Sequence, residues 1–405
     1  MARAEGARRP VILFGAFDRH NFGDLLFPHV ASALLPGQDP VCAGLAARDL
    51  RRHGGHRVVA LASLALRAGD PRCSLIHVGG EILDCSAWQA AVMLLPPGEA
   101  QSTIAYLEAR PDERQAWVQT LLGRAARAPY VVSRRTHPAL TRIVHAGVGG
   151  VGLDRADPAL RAEVLADLRA ADAVGVRDRC TLGHLAAAGV EARLMPDPAV
   201  MVAELFAARI RARAQSGEVA RARRAFPQGY VAVQFSAEFG DEESLTTVAA
   251  QLERVVAEHG LGVLLFRAGA APWHDDAALL DRVAARLRPG SARCFESLDL
   301  WEICALIANS RAYCGSSLHG RIVAAAFALP HVNLRSPAAA HGPSKQAAYA
   351  ATWDEPGQPG EVDPRNLSDG LDRALAVPPE RLRRQAARLA RRYRDGFAAL
   401  GPMPT

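Results

Sequence analysis

A chain of 405 residues, 49% hydrophobic and 22% charged, has room for two cores, and its balance excludes a collagen, a repeat array or a disordered chain. Its formal charge is +6, from 48 basic and 42 acidic side chains, and its only lysine is Lys345. No dense basic stretch is interleaved with aromatics, which argues against nucleic acid, while a mild positive excess suits an anionic small substrate. The seven cysteines are scattered, and none forms a C-x-x-C pair of the kind zinc or redox chemistry uses. They read as reduced, mostly buried thiols of a cytoplasmic protein. The N-terminal apolar run, Val11 to Phe14, is far shorter than a signal-peptide core, and no stretch reaches the roughly 18–20 apolar residues of a membrane span.

Short apolar runs alternate with helical patterns along the chain, as in parallel β/α units. In order, strands are predicted at 11–14, 58–61, 75–78, 144–150, 173–177 and 191–195. Residues 203–226 are basic and alanine-rich with no strand, and read as a helical connector. A second series follows, with strands at 230–235, 262–266, 312–314 and 331–334, and helical periodicity at 244–259 and 275–287. The division expected is 1–202, 203–226, 227–354 and 355–405. The last part is a Pro/Gly-rich loop at 355–364 and then an amphipathic helix. Leu382, Ala386, Leu389, Tyr393, Phe397 and Leu400 form its apolar stripe. Such a helix docks on the body with its arginines in water, or lies on a membrane surface; small alanines and the lack of tryptophan favour docking.

Four polar clusters fall where strands end and helices begin, the places where open parallel sheets bind ligands. The first is Gly15-Ala16-Phe17-Asp18-Arg19-His20-Asn21-Phe22-Gly23-Asp24. It lacks both the P-loop ending and the dinucleotide glycine pattern, and Asp24 is equally at home as a helix-dipole carboxylate or as a cleft residue. The second, Gly79-Gly80-Glu81, reads first as a turn. In the third, Arg177 ends an apolar strand, with Asp197 one unit later. Its fork either grips a phosphate or carboxylate, or pairs with Asp178 or Asp197. The fourth, Cys314-Gly315-Ser316-Ser317-Leu318-His319-Gly320-Arg321, is the most specific. A histidine at a positive helix end, among Ser316, Ser317 and Arg321, is better placed for an anion than for packing alone.

Taken in order, G-x-x-x-x-x-N-x-G-D, G-G-x-x-x-D, H-A-G-V-G-G, V-R-D, P-D-P-A and S-x-L-H-G-x-I-x-A-x-x-x-x-x-P resemble the polysaccharide pyruvyltransferases over about residues 11–335. The resemblance implies a GT-B-like α/β fold of two facing Rossmann-type domains, to which the C-terminal amphipathic helix read above is added. It implies phosphoenolpyruvate as donor, a saccharide or lipid-linked glycan acceptor in exopolysaccharide synthesis, and no cofactor or metal. Carried over by position, His319 is the general acid and Arg177 a donor ligand, and Asn21, Gly23 and Asp24 form a pocket motif, with Gly79, Gly80 and Asp197 beside it. Many members resemble S-R-L-H-G where this chain has Ser317 in place of the arginine. Arg321 or Lys345 is then expected to supply the missing charge. Asp24 is the candidate base for the sugar hydroxyls.

Two rivals follow from the same residues. A nucleotide-sugar glycosyltransferase on this fold would need a nucleotide seat in the second domain, for which 296–300 is the candidate segment. A sugar-binding member without donor chemistry is the reading that Ser317 motivates. A cytoplasmic enzyme that visits the inner membrane face through its C-terminal helix remains an extension of the first reading.

Overall fold

The computed structural model describes residues 11–64, 73–123, 125–337 and 342–401. The first sheet contains β1 (Val11–Phe14), β2 (Val41–Gly44), β3 (Arg48–Asp49), β4 (Arg57–Ala60), β5 (Cys73–Val78), β6 (Leu140–Val148), β7 (Ala173–Val176) and β8 (Arg193–Leu194), in the order β3-β4-β2-β1-β5-β6-β7-β8. The second contains β9 (Tyr230–Gln234), β10 (Gly262–Phe266), β11 (Ala292–Phe295), β12 (Ala312–Gly315), β13 (His331–Leu334) and β14 (Glu361–Val362), in the order β11-β10-β9-β12-β13-β14. Every pairing is parallel except β3 with β4.

The central strands are apolar at successive residues because helices cover both faces of a parallel sheet. The runs VILF of β1 and YVAVQ of β9 are buried at every position. The strands left unpredicted, β2, β3, β11 and β14, are short or lie at or next to an edge, where Gly, Ala, Arg and Glu interrupt the apolar run. The predicted helix at 244–259 is Glu242–His259, capped by Asp241 and ended by a left-handed Gly260. The periodicity at 275–287 yields only Ala277–Ala284. Residues 203–226 hold two helices, Val202–Arg213 and Gly217–Ala225, which pack on the helix Leu300–Ala308.

One apolar cluster runs between the sheets. Phe22, Leu25 and Leu26 of the helix Phe22–Ala33 join Trp301 of Leu300–Ala308 and Leu318 and Ile322 of Leu318–Ala326. The C-terminal helix, Pro379–Ala398, bridges the two halves. Gln385 donates to the Trp353 carbonyl at 3.1 Å on the second domain, and Gly396 packs on Met195 of the first. Leu382, Leu389, Tyr393 and Phe397 are buried, each contributing about 1.5–3 kcal/mol by the usual transfer scale. The stripe is therefore covered by the protein itself and presents no apolar face to a membrane. No helix among the described residues is long and apolar enough to cross one.

Candidate active site

The carboxyl ends of β1, β5, β6, β9 and β12 face a cleft of about 730 Å³ between the sheets. Asn21, Asp24, Gly80, Arg177, Ser316, Ser317, His319 and Lys345 all line it. Gly23, Gly79, Asp197 and Arg321 do not, and each has a different reason.

At the end of β1, Asn21 caps the helix Phe22–Ala33 by accepting a hydrogen bond from Gly23 N. Gly23 is small because the His319 ring lies against it: a Cβ there would stand 2.0 Å from the ring. Asp24 follows, buried at the cleft wall in the first helical turn. Burial pushes its carboxyl up to about 6, against the opposing pull of Arg19, Lys345 and Arg177. At the end of β5, Gly79 adopts a φ of 60°, with the Phe27 ring where a side chain would sit.

Arg177 is buried at the end of β7. Its guanidinium donates to Asp197 at 2.9 Å and forms a second, shorter ion pair with Glu81. Asp178 is not its partner; that carboxylate caps the helix Arg179–Ala187 through Thr181 N at 2.7 Å. Glu81 also accepts from Val151 N at 2.7 Å, so the second cluster is more than a turn. Asp197 is fully enclosed beneath the cleft, where it caps the short turn Pro198–Met201 and lies 3.8 Å from His319 Nε2.

At the end of β12, Ser317 caps the helix Leu318–Ala326, accepting from Gly320 N at 3.2 Å. Ser316 Oγ accepts from Ser236 N at 2.9 Å. His319 stands edge-on to Phe22 and Phe27, with ring centroids at 6.4 and 5.2 Å. Its Nε2 is buried and has no hydrogen-bond partner. Burial first, then Arg177, Lys345 and His274, hold its pKa well below the ordinary imidazole value, so the ring is neutral at pH 7. Arg321, expected as a donor ligand, points away from the cleft. One helical turn beyond Leu318 it reaches Asn333 Oδ1 at 3.2 Å, the Gly360 carbonyl at 3.0 Å and Asp354 in a short ion pair, a brace inside the second domain. Of the two substitutes considered for the missing arginine, only Lys345 faces the cleft.

Sequence reasoning missed Arg19 and Arg155. Both line the cleft, and Arg19 sits in the first cluster itself. Its guanidinium lies 5.1 Å from the Tyr130 ring centre and donates to the Tyr130 hydroxyl, while its Nε is buried and unpartnered. Nothing in a linear reading separates Arg19 from the chain's other arginines; only its position beside Asp24 does. The acidic Asp84 and Asp275 also line the wall, both raised to about 7 chiefly by burial. Residues 296–300 do not line the cleft; the Glu296 and Ser297 amides donate to Glu218 instead. The one described group of side chains close enough for a metal ion, Glu258, His259 and Asp372, lies apart from the cleft, with His259 Nε2 hydrogen-bonded to Asp372.

This geometry, with an imidazole, a carboxylate and cations at the switch between two parallel sheets, occurs with a defined sequence pattern. Residues 148–336 match the polysaccharide pyruvyl transferase family. The family read from the ordered motifs is thus the family that matches, a transferase family. The matched segment contains Arg177, Asp197, Ser316, Ser317, His319 and Arg321, and leaves out the Asn21–Asp24 junction and Lys345. No curated protein matches the chain significantly in sequence. Among solved structures, the chain is similar to MnaA of S. aureus, solved with UDP, at TM-score 0.51 and 14% identity over 96% of this chain and 94% of that one. It is similar to a UDP-GlcNAc 2-epimerase of Methanocaldococcus jannaschii, at TM-score 0.51 and 12% identity over 95% and 98%. It is also similar to an α,α-trehalose-phosphate synthase (UDP-forming) of Burkholderia xenovorans, at TM-score 0.52 and 11% identity over 96% and 96%. At such identities the likeness shows the fold alone: the GT-B arrangement of two facing α/β domains.

Proposed function

We propose that the protein transfers a pyruvyl group from phosphoenolpyruvate to two hydroxyls of a saccharide, forming a pyruvate ketal and releasing phosphate. The observation that carries this is the meeting, in one cleft, of His319 with an unpartnered buried Nε2, the Asp24 carboxyl and the cations Arg19, Arg155 and Lys345. Phosphoenolpyruvate carries a carboxylate and a phosphate, and the cleft offers cations from both domains to receive them. Ser316 and Ser317 each accept a framework hydrogen bond, which leaves each hydroxyl proton to donate to the anion. The N-terminal amides of the helix Leu318–Ala326 add their dipole. Arg177 then acts from beneath, holding Glu81 and Asp197 in place rather than gripping the donor.

In the chemistry we envisage, His319 gives a proton to the methylene carbon of the donor, and the C2 cation that results is attacked by one sugar hydroxyl. Its proton passes to Asp24. Phosphate leaves, the second hydroxyl closes the ketal, and that hydroxyl's proton leaves with the phosphate. A neutral His319 must first take up a proton. The donor's negative charges would favour that step, and Asp197, 3.8 Å away, would stabilise the imidazolium.

The acceptor in this reading is a polysaccharide or glycan precursor. The UDP complexes among the structural neighbours motivate the rival, a nucleotide-sugar enzyme. A thermal-shift titration decides between them, since a ligand that binds only the folded state raises its stability. Stabilisation by phosphoenolpyruvate, lost in His319→Ala, supports the proposal. Stabilisation by nucleotide sugars but not by phosphoenolpyruvate refutes it, and saccharide binding with neither donor favours a protein without donor chemistry.

A further inference from the structure

Between β10 and the helix Ala277–Ala284 the chain turns at Ala271-Pro272-Trp273-His274, where His274 N donates to the Ala271 carbonyl at 3.1 Å. Trp273 holds a φ of 61°. Proline at the second position and a left-handed residue at the third mark a type II turn, whose third position selects glycine or asparagine. A large aromatic there is the costly choice, and strain of this kind persists where the surrounding structure enforces it, often at functional sites. The surroundings do enforce it. Ala270 and Ala271 donate to the His20 carbonyl, and the His274 carbonyl accepts from Ala237 N at 2.9 Å.

Nor is the strain offset by burying the indole. Trp273 is 47% exposed, and it stands in the wall of the cleft that holds His319 and Asp24. Trp88, from the opposite domain, approaches it edge-on with ring centres 6.5 Å apart, and Trp117 lies 5.7 Å from Trp88. Gln89 lines the cleft on the Trp88 side and Glu238 on the Trp273 side. A pyranose has an apolar C–H face and a rim of hydroxyls. It stacks on an indole while amides and carboxylates take the hydroxyls, a mixture of one apolar platform and a few polar groups that ligand sites commonly use.

We infer that Trp273, flanked by Trp88, is the platform on which the saccharide acceptor stacks at the mouth of the cleft. The inference rests on the saccharide-acceptor part of the proposed function, and it adds a residue outside the matched motifs. It also places the acceptor against both domains, since Gln89 and Trp273, which both line the cleft, come from different ones.

The test is binding of wild type, Trp273→Phe and Trp273→Gly to an array of neutral and acidic hexose oligosaccharides, with a thermal-shift titration of phosphoenolpyruvate beside it. Glycine suits a φ of 61°, so Trp273→Gly keeps or raises the melting temperature, and a loss of binding cannot be put down to unfolding. Wild type should bind a subset of the oligosaccharides, Trp273→Phe should retain them, and Trp273→Gly should bind them at least about tenfold more weakly with the phosphoenolpyruvate shift unchanged. Equal binding by Trp273→Gly overturns the inference, as does an array on which wild type binds nothing at millimolar protein. UDP binding that is lost with Trp273 would assign the indole to a nucleobase and overturn it too. Oligosaccharide binding that depends on Trp273, with no phosphoenolpyruvate shift in any variant, would sink the donor reading and leave this one standing.

Discussion

The two junctions that meet in the cleft are built alike and do opposite things. After β1, Asn21 caps a helix whose first turn carries Asp24; after β12, Ser317 caps a helix whose first turn carries His319. Both ionisable groups are buried, and burial disfavours the charged form of each. The same desolvation therefore pushes the Asp24 carboxyl up to about 6 and the His319 imidazole well down. One side of the cleft becomes a carboxylate that can take a proton near neutral pH, the other an imidazole that is neutral at pH 7. The difference lies in the sign of the charge being buried, not in the local architecture.

The largest effect expected is on the histidine side. His319→Ala should lower ketal formation from phosphoenolpyruvate by about 10³-fold or more, the upper range for a proton-transfer group that also contacts the donor, with the fold retained. Phosphate release at the wild-type rate would remove His319 from the chemistry. On the carboxylate side, Asp24→Asn should cost on the order of 10²-fold in kcat/KM. In the proposed chemistry Asp24 acts ionised and His319 protonated, so wild-type kcat/KM should rise as the pH drops toward about 6, the value to which burial raises Asp24, and level off below it, where proton uptake by His319 offsets loss of the carboxylate. In Asp24→Asn the levelling near 6 should disappear. A break near 6 that survives in the variant belongs to another group.

Where the junctions touch, Gly23→Ala should break both. Alanine would gain about 0.5–1 kcal/mol of helix propensity. Its methyl, however, would lie 2.5 Å from the His319 Cβ as well as 2.0 Å from its ring, so turning the ring cannot relieve the clash. Overpacking costs about 1–3 kcal/mol, which outweighs the gain. We expect a lower denaturation midpoint together with reduced turnover, and an unchanged midpoint would mean that the helix shifts at little cost.

Much of this was legible in the sequence because strands buried on both faces announce themselves as apolar runs, and capped helix starts after them mark the cleft. The runs at β1, β5, β7 and β12 located the clusters that hold Asn21, Gly80, Arg177, and Ser316 with His319. Asp197 was among the partners expected for Arg177 and is one, but the ion pairs of Arg177 with Glu81 and of Arg321 with Asp354 were not legible, because they join residues 96 and 33 positions apart. Arg177, expected as a donor ligand, and Arg321, expected as one of two substitutes for a missing charge, are both held by carboxylates. Trp273 was invisible for a related reason: composition shows a tryptophan, whereas its left-handed turn and exposure belong to the fold.

The smallest effect separates the cations of the two sides. With Arg321 engaged as a brace and Ser317 in the place of an arginine, charge for the donor must come from elsewhere in the cleft. Arg19 is the candidate on the Asp24 side and Lys345 on the His319 side. Arg19→Met keeps much of the side-chain bulk over Tyr130 and removes the charge. It should raise the KM for phosphoenolpyruvate by about tenfold, the order of one charge-assisted hydrogen bond, with a smaller change in kcat. Lys345→Met should do the same by a smaller factor, because Lys345 is solvent-exposed and its charge is screened. The double variant distinguishes the alternatives. If both cations hold one donor molecule, their effects multiply only partly, since contact with a shared anion makes them non-additive. If only one of them touches the donor, the other change leaves KM where it was, and donor binding would lie with one junction instead of between the two.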